Sequence, residues 1–273
     1  MKKILISLFC AVAVLSLGAQ TLRDGKYFAQ EENFAASGWK SQVVLEVKGG
    51  KIVSANWNGV SNLPGVPDKK TWDRGGNYNM VKFGKAQAEW YQQAEKVEQY
   101  LVSTQDYKFN KYKDKEGRTD AISGVSIHVS DFFGLVQKAL AAGPVAKGDY
   151  PKDGWYYAEQ ADFDKNSGWK DTVLITVVNG RIVDVLWNGI SNDKNKKSKI
   201  VESVSGNYGM VKFGKAQAEW HEQAARAQEA LLKTQDPAKI PVKADGKTDV
   251  ITGVSIHVGT FLQLATEALK KAR

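Results

Sequence analysis

Two stretches of this chain carry the same polar groups in the same order. Asp120-Ala-Ile-Ser123-Gly124-Val125-Ser126-Ile-His128 returns as Asp249-Val-Ile-Thr252-Gly253-Val254-Ser255-Ile-His257. Each copy offers a carboxylate, two hydroxyls, a glycine and an imidazole within nine residues. From Val125 to Val129 apolar and polar residues alternate, the period of an extended segment with one buried face. Ser126 and His128 then share the polar face, while Val125, Ile127 and Val129 turn inward. Gly124 lets a backbone or a ligand come close without a Cβ in the way. Asp120 and Ser123 add an acceptor and a hydroxyl at the entry to the turn, and the second copy repeats this geometry.

Three chemistries compete for such a pattern. The plainest is a turn and edge strand whose polar face meets water, since a repeat copies structure as well as sites. A Ser-His-Asp hydrolase fares badly: the serine lies in no nucleophile elbow, and same-face strand residues point parallel rather than toward each other. A phosphate or phosphoester site needs an exposed hydroxyl, a glycine, a nearby helix N-terminus and a cation, and all four are at hand.

The same residues resemble the flavinylation motif D-x-x-(S/T)-G-A-(T/S) of FMN-binding domains, as in the flavin subunits of membrane redox pumps and exported flavoproteins. Asp120, Ser123, Gly124 and Ser126 match it, as do Asp249, Thr252, Gly253 and Ser255; Val125 and Val254 stand where the family has Ala. The resemblance implies one FMN per copy, joined by a phosphodiester to Ser126 and Ser255 and installed outside the cytoplasm by an FAD-dependent flavin transferase. It implies an exported electron carrier, rather than a free-standing enzyme, working between a membrane or extracellular donor and acceptor. Asp120 and Asp249 are then expected to serve flavin installation more than the fold. Asp131 is expected to put an extra negative charge near the first flavin and lower its redox potential relative to the second. The alternative is an exported repeat protein that binds a ligand non-covalently or acts as a surface antigen, with the motif only structural. For the flavin ring, Trp57-Asn58-Gly59 and Trp187-Asn188-Gly189, with Tyr78 and Tyr208, offer aromatic faces and amides on loops; Trp57 and Trp187 could equally cap the sheet core.

The elements that must position these residues are duplicated too. Asn77 to Trp90 recurs almost letter for letter as Asn207 to Trp220. The offset there differs by one residue from that of the motifs, so a single deletion separates them. Each copy starts with Asp-Gly and an aromatic strand, Lys26-Tyr-Phe-Ala or Trp155-Tyr-Tyr-Ala. Two β-rich runs follow, 43–47 and 52–57 or 173–178 and 182–187, joined by Gly49-Gly50 or Asn179-Gly180 as tight turns. Trp-Asn-Gly is expected to end the second run. A long helix is then expected with Phe83, Gln87, Trp90, Ala94, Val97 and Leu101 on one stripe, repeated by Phe213, Trp220, Ala224, Ala227 and Leu231. It stops at Thr-Gln-Asp, firmly so at Pro237. After the motif a short helix closes each copy, with Ser130 or Thr260 as N-cap and Phe133, Val136 and Leu140, or Leu262, Ala265 and Leu269, facing in. Trp90 and Trp220 belong to the core, and His221 to the surface. The class is α+β, as two tandem repeats, each an antiparallel sheet with a long and a short helix.

Residues 1–19 read as a signal peptide: Met-Lys-Lys, an apolar run from Ile4 to Leu17, then Gly18-Ala19. Cys10 lies in mid-run, a poor place for lipidation. The two repeats are residues 20–142 and 153–273, and residues 143–152 form a stiff Pro- and Gly-containing linker. Removal of the signal takes away the only cysteine, leaving no thiolate, disulfide or cysteine-bound metal centre and no transmembrane segment. Redox work would then rest on an organic cofactor. The formal charge of +8 falls to +6 once Lys2 and Lys3 leave. An exported chain whose basic run, Lys194 to Lys199, lies in a loop is a poor candidate for nucleic acid. It is expected to be exported, and periplasmic, at the cell surface or secreted.

Overall fold

The computed structural model describes residues 22–273, so the signal peptide and Cys10 lie outside the described residues. The first half is built from β1 (Gly25–Gln30), β2 (Trp39–Lys48) and β3 (Lys51–Ser61), then α1 (Lys69–Arg74), α2 (Met80–Gly84), α3 (Trp90–Thr104) and α4 (Ser130–Ala142). The second half repeats it with β4 (Gly154–Glu159), β5 (Trp169–Val178), β6 (Arg181–Ser191), α5 (Lys199–Val204), α6 (Trp220–Thr234) and α7 (Gly259–Lys270). Each half is an antiparallel meander, ordered β1-β2-β3 and β4-β5-β6, with the α+β class that the sequence suggests. The hairpins turn where expected: Gly49, Gly50, Asn179 and Gly180 all have φ between 53° and 73°.

The inner sheet face of the first half packs Tyr27, Val43, Leu45 and Val47 against Ala94, Val97 and Leu101 of α3 and Phe133 and Val136 of α4. Trp57 sits at its centre, 5.3 Å from both Trp90 and Phe132 by ring centroid. Trp187 repeats this between Trp220, at 5.2 Å, and Phe261, stacked at 4.7 Å. Burying such rings drives the helices onto the sheet, at roughly 1.5–3 kcal/mol per large side chain.

Five expectations are corrected. Trp-Asn-Gly does not end the strand: β3 runs through Trp57, Asn58 and Gly59 to Ser61, all buried. Asn58 is occupied there, its Oδ1 accepting from the Gly59 and Lys70 N–H groups and its Nδ2 donating to Asp68. The long helix does not include Phe83 or Phe213, which are 73% and 71% exposed; it begins at Trp90 and Trp220. Gln87 likewise precedes the helix. The reason lies at Glu89 and Glu219, whose carboxylates accept from the backbone N–H groups of Met80 and Val81, or Met210 and Val211, and so fold that segment back as a separate turn. Ser130 and Thr260 are not N-caps; Val129 and Val258 precede the closing helices, without a side-chain cap. His221 is half-buried, its Nδ1 2.8 Å from Ser203 Oγ. Leu140 is only partly buried, and Ala139 takes the inward place beside it.

The halves pack sheet against sheet on their outer faces. Gln42, fully buried, donates to Asp184 and accepts from Trp155 Nε1 and Thr176 Oγ1 across the boundary. Val60, Leu174 and Leu186 form a small apolar cluster beside it. The linker is pinned rather than merely stiff: Val145 N donates to Lys26 O, while Gly148 and Tyr150 donate to the β5–β6 hairpin. Gly148 lies so close to Gly180 that a Cβ has no room. Among the described residues no helix is long and apolar enough to cross a membrane.

Candidate functional site

Val125, Ile127 and Val129 are buried while Ser126 and His128 are exposed, so the alternation holds. The segment is not a sheet strand, however. It is held by a residue that the repeat pattern did not flag, Gln93, buried in α3. Gln93 Oε1 accepts from Ser126 N at 2.7 Å, Ser126 Oγ at 3.2 Å and Ile127 N at 3.2 Å, and its Nε2 donates to Ala88 O. Gln223 does the same for Ser255, at 2.7 Å to N and 3.2 Å to Oγ. Each serine hydroxyl thus spends its proton on an amide oxygen and leaves its lone pairs facing solvent.

Gly124 and Gly253 adopt φ of 71° and 73°, the left-handed region that the turn needs. Their carbonyls accept from Lys96 Nζ and Arg226 Nη1, two cations that α3 and α6 lay over the motif. Asp120 and Asp249 are exposed and pair with Lys113 at 2.7 Å and Lys243 at 2.9 Å. Within neither motif does a hydrogen bond join its serine, histidine and aspartate. That removes the hydrolase geometry. Ser123 and Thr252 are exposed beside the turn; Val125 is buried and Val254 half-buried.

In the second half Ser255 and His257 line a cleft of about 660 Å³, together with Tyr208, Trp169, Trp187, Trp220, Lys199 and Lys247. The cleft brings together Ser255, His257 and Tyr208; Asp249, Thr252, Gly253 and Val254 are not on its wall. Trp169 and Lys199 went unrecognised in the sequence. Lys199 closes a basic run that reads as solvated loop. Lys199 is instead the first residue of α5, capped by Ser198, and lies 4.8 Å from the Trp220 ring. Its ammonium pairs with Asp171 at 3.0 Å.

The first half builds the same cage around Lys69, whose Nζ lies 5.2, 4.9 and 4.2 Å from the rings of Trp39, Tyr78 and Trp90. Ser41 stands where the second half has Asp171, and Lys69 has no carboxylate at ion-pair distance among the described residues. Burial pushes the Lys69 ammonium down to about 8, with Asp73, Asp131 and Glu31 opposing that fall through their charge. Burial also raises the Tyr78 and Tyr208 phenols. Trp57 and Trp187 are core residues first, yet both keep a buried indole N–H without a partner among the described residues.

No protein-family model matches the chain. Over 121 residues it is 27% identical to the 15 kDa lipoprotein of Treponema pallidum (strain Nichols), a stretch covering 44% of this chain and 76% of that protein. A solution NMR structure from Clostridium thermocellum is 55% identical over 44% of this chain and 91% of its own, with a TM-score of 0.36. The crystal structure of a Clostridium perfringens protein is 29% identical over 44% and 88%, with a TM-score of 0.35.

Proposed function

We propose that the chain is an exported electron carrier that holds one FMN in each half, joined through its phosphate to Ser126 and Ser255. The observation that carries this reading is the meeting of Ser255 and Tyr208 in one aromatic-walled cleft, although the two lie 47 residues apart in the chain. The cleft falls within the roughly 300–1,000 Å³ of cofactor sites. The residues present fit a flavin: flat apolar walls from Trp169 and Tyr208, and Lys247 at the wall as a cation for a phosphate.

A bound flavin supplies one- and two-electron chemistry that no side chain here can. The chain's own residues would stack on the ring, shield it from water on the Trp220 side and set the charge beside it through Lys69 or Lys199. At the attachment point Gln93 and Gln223 hold the serine oxygen outward. Attachment is assigned to an FAD-dependent flavin transferase, and the electrons to a membrane or extracellular partner. An exported, membrane-anchored or surface location is supported by the signal-like residues 1–19 and by the lipoprotein among the relatives.

Protein purified from its own host should be yellow, stay yellow after denaturation, and show an intact mass two FMN units above the mature chain. A colourless protein of unmodified mass would favour the reading in which the motif is structural.

A further inference from the structure

The segment that leads into the cleft of the second half ends in an exposed tip, and so does its counterpart in the first half. Val81-Lys82-Phe83-Gly84-Lys85 and Val211-Lys212-Phe213-Gly214-Lys215 are identical in sequence. Phe83 and Phe213 are 73% and 71% exposed, Val81 and Val211 46% and 45%. Their backbone is held while their side chains stand exposed: Phe83 N donates to Asn79 O and Phe213 N to Gly209 O, and Glu89 or Glu219 clamps the root. The lysines Lys82 and Lys212 lie 5.1 and 5.0 Å over the phenylalanine rings. None of the four tip lysines is in an ion pair among the described residues.

Packing gives no reason to keep these side chains. The other exposed apolar residues are not identical and exposed in both halves: Leu63 corresponds to Asp193, Val204 to Arg74, Val250 to Ala121 and Tyr112 to Val242, while Phe163 keeps its identity at the part-buried Phe34. Val53 keeps its identity at Val183, but there the side chain is part-buried. Among the described residues, the tip alone has large apolar side chains that are identical and exposed in both halves. Met210, three residues before Phe213, lines the cleft with Ser255, so the tip is tied to the site. A rigid apolar knob ringed by cations, present once per serine, suits a protein that must approach each serine in the same way.

We propose that these two tips are the grips for the protein that loads each serine, and that this partner meets them with an apolar pocket edged by carboxylates. The inference rests on the flavin reading above. In the step served, Ser Oγ forms a bond to the FMN phosphorus of FAD, the pyrophosphate P–O bond breaks, AMP leaves and the hydroxyl proton is released; no electrons are exchanged.

The test uses the full mature chain with FAD and a flavin transferase, and follows occupancy of Ser126 and Ser255 separately by peptide mass. Phe83→Ala should slow loading of Ser126 about tenfold, the loss expected of one buried anchor, and leave Ser255 at its wild-type rate. Phe213→Ala should do the reverse, so each variant carries its own control. Lys82→Glu with Lys85→Glu should slow Ser126 further and weaken the salt dependence of its loading, at an unchanged melting temperature. Wild-type rates in both phenylalanine variants, or equal slowing of both serines by one substitution, would overturn the grip. So would normal loading combined with lost binding to phosphatidylglycerol vesicles, which would make the tips membrane contacts. A wild-type chain that loads at neither serine fails earlier, at the reading of the site, and takes this inference with it.

Discussion

Lys69 and Lys199 occupy the same place in the two halves, at the first turn of α1 and α5 and against the same cage of rings, yet they differ in company. Lys199 has Asp171 at 3.0 Å, whereas Lys69 faces Ser41. The carboxylate has moved rather than vanished, for Glu31 in the first half stands where the second has Gln160, each accepting the backbone N–H of residue 41 or 171. A second exchange lies behind the sheet. Lys70 and Glu98 form a buried pair at 2.7 Å, and Ile200 and Gln228 replace it. What both halves keep is the backbone pinning: Glu98 and Gln228 each accept from the indole residue's N–H, Trp57 N or Trp187 N, at 2.6 Å. Hydrogen-bond acceptors are thus fixed by the fold, while charge at the same positions is free to diverge. The two halves therefore share these rings and backbone hydrogen bonds and differ in electrostatics.

The comparison breaks most visibly at the buried pair. Glu98→Ala leaves Lys70 as an unpaired buried cation and should destabilise the first half by about 3–5 kcal/mol. Gln228→Ala removes only a neutral acceptor, at about 1–3 kcal/mol. Denaturant unfolding of the two variants should show that order, and equal losses would mean that the pair contributes no more than its hydrogen bond.

Lys69 gives the next effect. Its ammonium is pushed down to about 8 by burial, and an unfolded lysine titrates near 10.4. Between those values the unfolded chain binds more protons, so the first half should gain stability as pH rises from about 8 to about 10.5. The gain should be no more than about 3 kcal/mol. Below that window the penalty for burying the charge is fully present, and above it the penalty is gone. Lys69→Met should abolish the slope, and Ser41→Asp, which copies the second half, should flatten it. Melting curves across that pH range decide; a slope that survives Lys69→Met assigns it elsewhere.

The glutamines give the smallest contrast. Gln93 accepts from three donors around the motif and Gln223 from two, so Gln93→Ala should cost about 1 kcal/mol more than Gln223→Ala. Equal costs in thermal melts would show that the Ile127 N–H contact contributes nothing.

The strands, hairpin turns and closing helices were legible because each is set by local chemistry: alternating β-branched residues, Gly-Gly or Asn-Gly, and a 3.6-residue stripe. The motif residues were legible because they are duplicated. What misled the helix reading was Phe83, which keeps the spacing of the stripe but belongs to a turn closed by Glu89, a side chain-to-backbone bond that periodicity does not encode. Gln93, Lys69 and Lys199 stayed hidden for a related reason. Each is a polar residue whose role comes from distant partners, the motif backbone or an aromatic cage assembled from three segments. Trp57 and Trp187 carried both readings in the sequence, and burial places them in the core.

Whether the duplicated serines carry the ligand is most directly tested by intact mass of the chain loaded with FAD and a flavin transferase, beside Ser126→Ala, Ser255→Ala and the double variant. The wild-type chain should gain two FMN units, each single variant one, and the double variant none. Two units retained in either single variant, or none gained by the wild-type chain, would contradict the assignment of one covalent flavin to each half.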